Sequence, residues 1–178
     1  MNQNLANFVG FQLGWFACIL GAAHGRPWLG PLVVVAWLAP FVWISPRSRG
    51  DLATLLAAGL SSYLADSVLV LAGWLSFPSA AWGWPSTLWM VALWVNLAGT
   101  LRWSLSWLRE HRAWSALLGS LGGPLAYAAG VRLGAVQLPA GAVSLVAVGV
   151  VWALAMPALL WLSRVCEAGA LPREVKAT

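Results

Sequence analysis

Long apolar runs separated by short polar breaks dominate the sequence. A helix that crosses a bilayer needs about 20 mostly apolar residues, and six runs approach that length. The breaks are rich in Gly, Pro and Arg, which is typical of turns. The predicted spans are residues 5–24, 29–45, 52–74, 87–108, 114–136 and 141–163. The pattern predicts an all-α membrane protein over 1–178, with six transmembrane helices in one compact bundle, short loops and a short tail over 164–178.

The composition supports this fold class. Hydrophobic residues make up 61% of the chain and charged residues 8%, and the mean hydropathy is +0.78. Soluble domains carry about 45–50% apolar and about 25% charged residues, so a soluble globular protein is excluded. The net charge of +5 would suggest nucleic acid in a soluble protein. In a membrane protein, basic residues in the loops set the orientation of the helices, which explains the positive charge better than nucleic-acid binding does. We therefore expect no nucleic-acid partner.

The placement of Lys and Arg predicts the orientation. Seven of the ten fall on one side of the predicted membrane: Arg47, Arg49, Arg109, Arg112, Arg164, Arg173 and Lys176. Arg26 and Arg132 fall on the other side, and Arg102 lies inside a span. Because basic residues accumulate in cytoplasmic loops, we expect both termini in the cytoplasm.

The 14 tryptophans fit a membrane protein. Most lie near the predicted span ends, where an indole ring sits at the level of the lipid headgroups. Trp82 is one of those on the side of the predicted membrane that faces away from the cytoplasm. Trp37, Trp94 and Trp152 lie deeper, where they could line a cavity or face lipid, and we favour lipid contact or packing.

Two spans carry stripes of small residues at helical spacing. The glycines of these stripes are Gly10, Gly14 and Gly21 in the first span and Gly119, Gly123 and Gly130 in the fifth. Small residues let helix backbones approach closely in lipid. We therefore predict that the first and fifth spans pack against each other, with an axis separation near the lower end of the usual 8–10 Å. The alternative is docking to a membrane partner or to a second copy.

Asp66 and Arg102 are the ionisable residues inside spans, and such residues are expensive in lipid. At about 1.5 Å per residue they differ in depth by roughly 12 Å, so we expect them in different clusters. The ligand-binding candidates near Asp66 are Tyr63, Asn96 and Tyr127, with His24 and Arg132 nearer the surface. We expect Arg26 or Arg132 to pair with the Asp66 carboxylate, either as a structural lock or within a binding site.

Arg102 has two interpretations. It could bind a ligand in a second cluster with Asn7, Gln12 and Ser106. It could instead extend to the cytoplasmic interface along its methylene stem, which is the interpretation we favour.

No motif for a familiar reaction is present. The sequence contains no HExxH, GxSxG or Walker lysine motif. His24 and His111 fall on opposite sides of the predicted membrane, so they cannot share a metal. We therefore assign no catalytic residue, and we expect no metal and no cofactor.

Several separate motifs occur in an order that resembles one known family. They are Asn7-Phe8, the run from Phe11 to Cys18, Gly21-Ala22-Ala23, the run from Pro27 to Gly30, Asp66-Ser67, Phe77-Pro78, Trp89-Met90, Leu93-Trp94 and the run from Gly122 to Tyr127. The chain resembles the bacterial membrane family catalogued as domain of unknown function 2878. The resemblance implies a small protein of the bacterial inner membrane and supplies no reaction or substrate. Genes of that family lie near lipid-modifying enzymes of the cyclopropane-fatty-acid synthase type, so the resemblance favours a lipid-linked role.

Three functions remain open. The first is non-enzymatic binding or transport of a lipid-like or small amphipathic molecule near Asp66, which requires a cavity there. The second is an intramembrane enzyme or accessory subunit in lipid or fatty-acid modification that uses Asp66, which requires a lipid-open cavity that reaches the carboxylate. The third is a structural partner that docks through the small-residue stripes, which requires one stripe to be exposed.

Overall fold

The structure, a computed structural model, describes residues 3–78 and 83–169. These residues form six α-helices and one short 3₁₀ helix, Ser106–Glu110. The α-helices are α1 (Gln3–Ala23), α2 (Leu29–Trp43), α3 (Ser48–Leu71), α4 (Leu88–Ala98), α5 (Arg112–Arg132) and α6 (Ala142–Gly169). The all-helical fold class is confirmed. Trp82, Arg173, Lys176 and most of the predicted tail lie outside the described residues.

The helices α1, α3 and α6 are long and apolar enough to cross a membrane, and α2 and α4 are shorter apolar helices. Their outward faces carry large apolar side chains. Leu13 is 60% exposed, Leu125 70% and Leu154 70%. A surface with this much exposed leucine is unfavourable in water and suits lipid, which is consistent with a membrane protein.

The ends of α3 and α5 share one design. Each helix stops at a glycine with positive φ, Gly73 at 74° and Gly134 at 83°, a conformation that is accessible to glycine at no steric cost. The two following loops then pair, because Ser76 and Gln137 exchange backbone hydrogen bonds of 3.0 and 2.8 Å. We call this side of the bundle the loop end, and the opposite side, where Arg47, Arg109 and most other arginines lie, the basic end.

The prediction that α1 packs against α5 is wrong. The main partners of α1 are α2 and α4, and α5 packs most extensively against α6. A Cβ added at Gly10 would meet Trp37 of α2, and one added at Gly14 would meet Asn96 of α4. The small residues therefore accept bulky side chains from other helices, which is why a match between two stripes did not identify the partner. All six stripe glycines are buried: Gly10, Gly14, Gly21, Gly119, Gly123 and Gly130.

The fourth predicted span, 87–108, is helical only over α4, which has 11 residues. The chain continues in turns from Gly99, where a Cβ would lie 2.2 Å from the Leu38 side chain. Side chains satisfy the freed carbonyls: Asn7 Nδ2 donates to Gly99 O at 3.0 Å, and Arg109 Nε donates to Leu101 O at 3.0 Å. Such irregular backbone is tolerated at membrane depth when it is buried in protein, and Leu101 is fully buried.

Two helix boundaries differ from the predicted ones in a way that matters for the basic end. The helix α3 begins at Ser48, so Asp51 lies in its first turn rather than in a loop. The helix α6 continues to Gly169, so Glu167 lies on a helix rather than in a tail. Both carboxylates are therefore held rigidly at the level of the arginines.

Candidate functional site

A cavity of about 240 Å³ lies between α1 and α5, where the sequence predicted close packing. The helices α4 and α6 form its back wall. Its lining is almost entirely apolar and aromatic, and no described residue in the lining carries a charge. The lining residues are Phe11, Trp15, Ile19, Met90, Leu93, Trp94, Leu97, Leu118, Gly119, Gly122, Gly123, Ala126, Tyr127, Val136, Trp152 and Met156. A space of this chemistry suits an apolar molecule.

The mouth of the cavity lies between α1 and α5. Leu118 on the α5 side is 41% exposed, and Gly122 one turn later is exposed and has open space around the position of a Cβ. On the α1 side, Phe11 and Trp15 are half-buried. The residues around the mouth are apolar, so in a membrane it would open sideways to the acyl chains.

The dimensions of the cavity limit what it can hold. From Leu118 to Tyr127 it follows α5 for about 13 Å, at about 1.5 Å per residue. An apolar cavity of about 150 Å³ is known to accept a benzene ring. The observed 240 Å³ is therefore enough for one ring or a segment of an acyl chain, and too small for a whole phospholipid.

Tyr127 forms the polar end of the cavity, on the side of the loop end. Its hydroxyl donates to Asp66 Oδ1 at 2.6 Å, and the Ser62 hydroxyl donates to Asp66 Oδ2 at 3.1 Å. Asp66 is fully buried behind Tyr127 and does not line the cavity. The carboxyl group therefore orients Tyr127, and the tyrosine stands between Asp66 and any ligand.

The predicted ion pair of Asp66 with Arg26 or Arg132 is wrong. Within the described ranges, Asp66 has hydroxyl partners and no salt bridge. Both arginines are exposed at the loop end, as is His24, whose ring nitrogen contacts the Leu20 carbonyl at 2.9 Å. Long basic side chains reach the headgroup level more cheaply than the apolar interior, which explains their position.

Two tryptophans form the back wall next to Tyr127. The rings of Trp94 and Trp152 lie 4.4 Å apart between centroids, tilted by 35°. Both indole nitrogens lie near the Tyr127 hydroxyl. The Tyr127 oxygen can accept from these indoles, because its own hydrogen is donated to Asp66. We favoured lipid contact or packing for these two residues over cavity lining, but both line the cavity.

Trp152 is placed by the glycine stripe of α5. A Cβ at Gly123 would lie 2.4 Å from the Trp152 ring, and one at Gly119 would lie 2.2 Å from its backbone oxygen. The stripe thus seats the indole and its backbone against α5. A glycine stripe on one helix and a mid-span tryptophan on another were visible in the sequence, but the helix pairing that joins them was not.

Two other predicted ligand residues lie outside the cavity. Asn96 links three helices, because its Oδ1 accepts from Trp37 Nε1 at 2.8 Å and its Nδ2 donates to Phe11 O at 2.9 Å. Tyr63 is 40% exposed and donates to the Trp84 carbonyl at 3.2 Å. Of the predicted ligand residues, the structure places only Tyr127 at the cavity wall.

Arg102 is held at the basic end by an acid that was assigned to a loop. Its Nη1 donates to Asp51 Oδ2 at 2.7 Å and to Ser45 Oγ at 2.5 Å. Asn7, which we grouped with Arg102, instead accepts from Ser104 Oγ at 2.9 Å. The Arg102–Asp51 pair joins the segment after α4 to the start of α3.

A second ion pair at the basic end was missed. Arg109 binds Glu167 with both Nη atoms, of which Nη1 lies 3.1 Å from Oε2, and it also donates to Ser163 Oγ at 3.1 Å. Arg47 adds a contact of 3.5 Å to Glu167. This network joins the 3₁₀ helix to α6. Opposite charges at the two sequence positions were the only available signal, and the predicted end of α6 at 163 concealed it.

The described residues contain no group of three or more His, Cys, Asp or Glu side chains that could hold a metal ion. The polar groups at the cavity are instead a phenol, a buried carboxyl and two indoles.

Comparison with known families gives one match. The sequence model of a family described as a protein of unknown function (DUF2878) matches residues 4–158. The chain belongs to this family. The match confirms the resemblance and includes every residue that lines the cavity. No curated protein and no solved structure matches the chain. The description of the DUF2878 family names no reaction, so the function must be argued from the cavity.

Proposed function

We propose that the protein binds a lipid-like or small amphipathic molecule in the cavity between α1 and α5, without chemical conversion. The observation that carries the proposal is an uncharged 240 Å³ cavity whose mouth lies between two helices rather than at either end of the bundle. A ligand would enter sideways from the bilayer. Its apolar body would lie along α5, and its polar group would lie against Tyr127.

The rest of the molecule supports a binding role. At Gly119 and Gly123 the helix α5 is in direct contact with α6, so the side of the cavity that α5 forms is held against the back wall. Tyr127 is fixed by its hydrogen bond to Asp66. A preformed site loses less conformational entropy when a ligand binds than a site that must first be ordered.

An intramembrane enzyme is the second candidate. The predicted direct use of Asp66 required a cavity that reaches the carboxylate, and Asp66 does not line the cavity. One observation nevertheless favours a role for Tyr127. Tyr127 both faces the cavity and contacts a carboxyl group at 2.6 Å, so it could exchange a proton with a ligand in a way that Asp66, sealed behind it, could not. The test is a lipidomic comparison of a deletion strain with a strain that carries Asp66→Asn. A lipid change shared by both strains supports lipid modification, and unchanged lipids in both strains favour binding alone.

Docking through the small-residue stripes has lost its supporting observation. That hypothesis required an exposed stripe, and the stripe glycines are buried against helices of the same chain. A homodimer or membrane partner would need a different surface.

We also propose a six-span topology in the bacterial inner membrane with both termini in the cytoplasm. The clustering of Arg47, Arg102, Arg109, Arg112 and Arg164 at one end supports it. A reporter fused after Thr178 should be active in the cytoplasm. Activity of a periplasmic reporter at the same position would contradict both the number of spans and the orientation.

The experiment that tests binding blocks the mouth of the cavity. A Cβ added at Gly122 would meet no neighbouring atom within 4 Å, so a side chain can begin there without a clash, and we expect the ring of Gly122→Phe to block the mouth. Gly122→Ala is the matched control, because a methyl group leaves the mouth open. Native mass spectrometry of protein extracted from membranes should detect a bound small molecule with the parent and with Gly122→Ala, and lose it with Gly122→Phe. Equal ligand in all three proteins, or none in the parent, would contradict the proposal.

A further inference from the structure

Two arginines at the basic end have no acidic partner. Arg112 begins α5 and Arg164 lies on α6, and both residues are exposed. Within the described ranges neither forms a salt bridge, whereas Arg102 and Arg109 are each paired with a carboxylate. Arg164 donates with one Nη atom to the Arg109 carbonyl, which leaves its charge without a counterion. These two cations are therefore available to an anion from outside the protein.

Both arginines line the same open depression in the protein surface. It lies where the 3₁₀ helix meets the adjoining ends of α5 and α6, and Arg109 and Glu110 also line it. Arg109 is already neutralised by its ion pair with α6. The other charges are two cations, Arg112 and Arg164, and one anion, Glu110. The depression therefore has an excess of one positive charge.

A shallow groove continues from the same arginines between α5 and α6. Its α6 wall is formed by Pro157, Leu160 and Trp161, and Arg112 and Arg164 line its charged end. Pro157 lies about 10 Å along α6 from Arg164, at about 1.5 Å per residue. Trp161 is 58% exposed beside the arginines, a position that suits an indole at the level of the lipid headgroups. Cations at the end of an apolar groove fit a molecule with an anionic head and a hydrocarbon tail.

We propose that this surface binds an anionic phospholipid of the phosphatidylglycerol type. Its phosphodiester would lie against Arg112 and Arg164, because guanidinium groups bind phosphate oxygens with two parallel hydrogen bonds. One acyl chain would lie in the groove between α5 and α6. The single negative charge of this headgroup matches the excess charge of the depression, whereas the ammonium of phosphatidylethanolamine cancels the charge of its phosphate. The surface shares no lining residue with the cavity between α1 and α5, so this proposal does not rest on the proposed function.

The test measures lipid binding to the full-length protein after delipidation in detergent, with native mass spectrometry as the readout. Phosphatidylglycerol and phosphatidylethanolamine with identical acyl chains are titrated separately, so that only the headgroup differs. Glycerophosphoglycerol, the same headgroup without acyl chains, is the soluble probe. Phosphatidylglycerol should bind at least about fivefold more tightly than phosphatidylethanolamine, which is the contribution expected from one arginine beside an anionic headgroup. The soluble probe should bind more weakly than the lipid, because it cannot use the groove.

Variants connect the preference to the two arginines. Arg112→Gln changes an exposed residue without an ion pair, so the fold should be retained and the affinity for phosphatidylglycerol should fall about fivefold. Arg164→Gln should cause a similar loss. Arg49→Gln is the matched control, because Arg49 is also exposed at the basic end but lines neither the depression nor the groove. Glu110→Gln removes the opposing charge and should strengthen the binding of phosphatidylglycerol.

Four results would overturn the proposal. Phosphatidylethanolamine that binds as tightly as phosphatidylglycerol would exclude recognition of an anionic headgroup. Equal losses from Arg112→Gln and Arg49→Gln would mean that the basic end attracts anionic lipid only through its overall charge. Equally tight binding of glycerophosphoglycerol would assign the arginines to a soluble ligand. Binding of phosphatidylglycerol that Gly122→Phe abolishes and Arg112→Gln leaves unchanged would place the lipid in the cavity between α1 and α5.

Discussion

Two polar regions inside this bundle are built on opposite principles. At the basic end, Arg102 is paired with Asp51 and Arg109 with Glu167, so each buried charge has a counterion. Behind the cavity wall, two hydroxyl groups donate to Asp66, which has no salt bridge among the described residues. The ion pairs at the basic end join separate elements of the fold. The contacts of Asp66 instead fix the Tyr127 side chain at the wall of an apolar cavity.

The largest loss of stability should come from breaking an ion pair at the basic end. Glu167→Gln removes the charge that neutralises Arg109, whose side chain is 16% exposed. Leaving a buried cation without its partner should lower the free energy of unfolding by about 2–3 kcal/mol. Thermal melting in detergent measures the change. Glu110→Gln is the control, since Glu110 is exposed and forms no ion pair within the described ranges. If both variants melt alike, the network at the basic end contributes nothing to stability.

Two glycines of α5 differ in the space around them. A Cβ at Gly119 would lie 2.2 Å from the Trp152 backbone oxygen, which cannot move aside cheaply, whereas Gly122 faces open space. Gly119→Ala should therefore destabilise the protein by about 1–3 kcal/mol through overpacking. Gly122→Ala should be neutral or stabilise by up to about 1 kcal/mol, because alanine favours helix over glycine. Melting curves of both variants give the answer. The reverse order would mean that α5 contacts α6 through a different face.

The smallest effect is expected at Asp66. Asp66→Asn keeps one carbonyl oxygen for Tyr127 and replaces the other acceptor with an amide, so about 1 kcal/mol of stability should be lost. Since no arginine within the described ranges forms a salt bridge with this carboxylate, the loss should not change when Arg132→Gln is added in a double-mutant cycle. A coupling energy clearly above about 0.5 kcal/mol between the two substitutions would indicate an ion pair between Asp66 and Arg132, contrary to the hydroxyl contacts seen in the structure.

The sequence predicted elements better than it predicted contacts. Apolar runs of suitable length located the helices, because the length and hydrophobicity that a helix needs in lipid can be read from its own residues. The glycine stripes of α1 and α5 correctly marked buried faces. They did not reveal their partners, since a stripe accepts any side chain of matching shape, and here these included Trp37 and Trp152.

The candidate site was predictable in part, for a physical reason. Asp66 and Tyr127 were identified because polar groups inside spans require partners. The carboxyl was expected to need a cation, but two hydroxyl donors satisfy it. Cavity lining by Trp94 and Trp152 was considered but not favoured, because a cavity depends on how four helices are spaced, and spacing is a property of the packed bundle. The short α4 was missed for a related reason: the turns that follow it are stabilised by Asn7, which is distant in sequence, and by Arg109, which folds back onto Leu101.

A structure of the protein in nanodiscs made from its native membrane lipids tests the central claim most directly. We expect an elongated density between α1 and α5, with its polar end against the Tyr127 side chain. A cavity that is empty, or one closed by direct contact of α1 with Gly122, would contradict the proposed binding site.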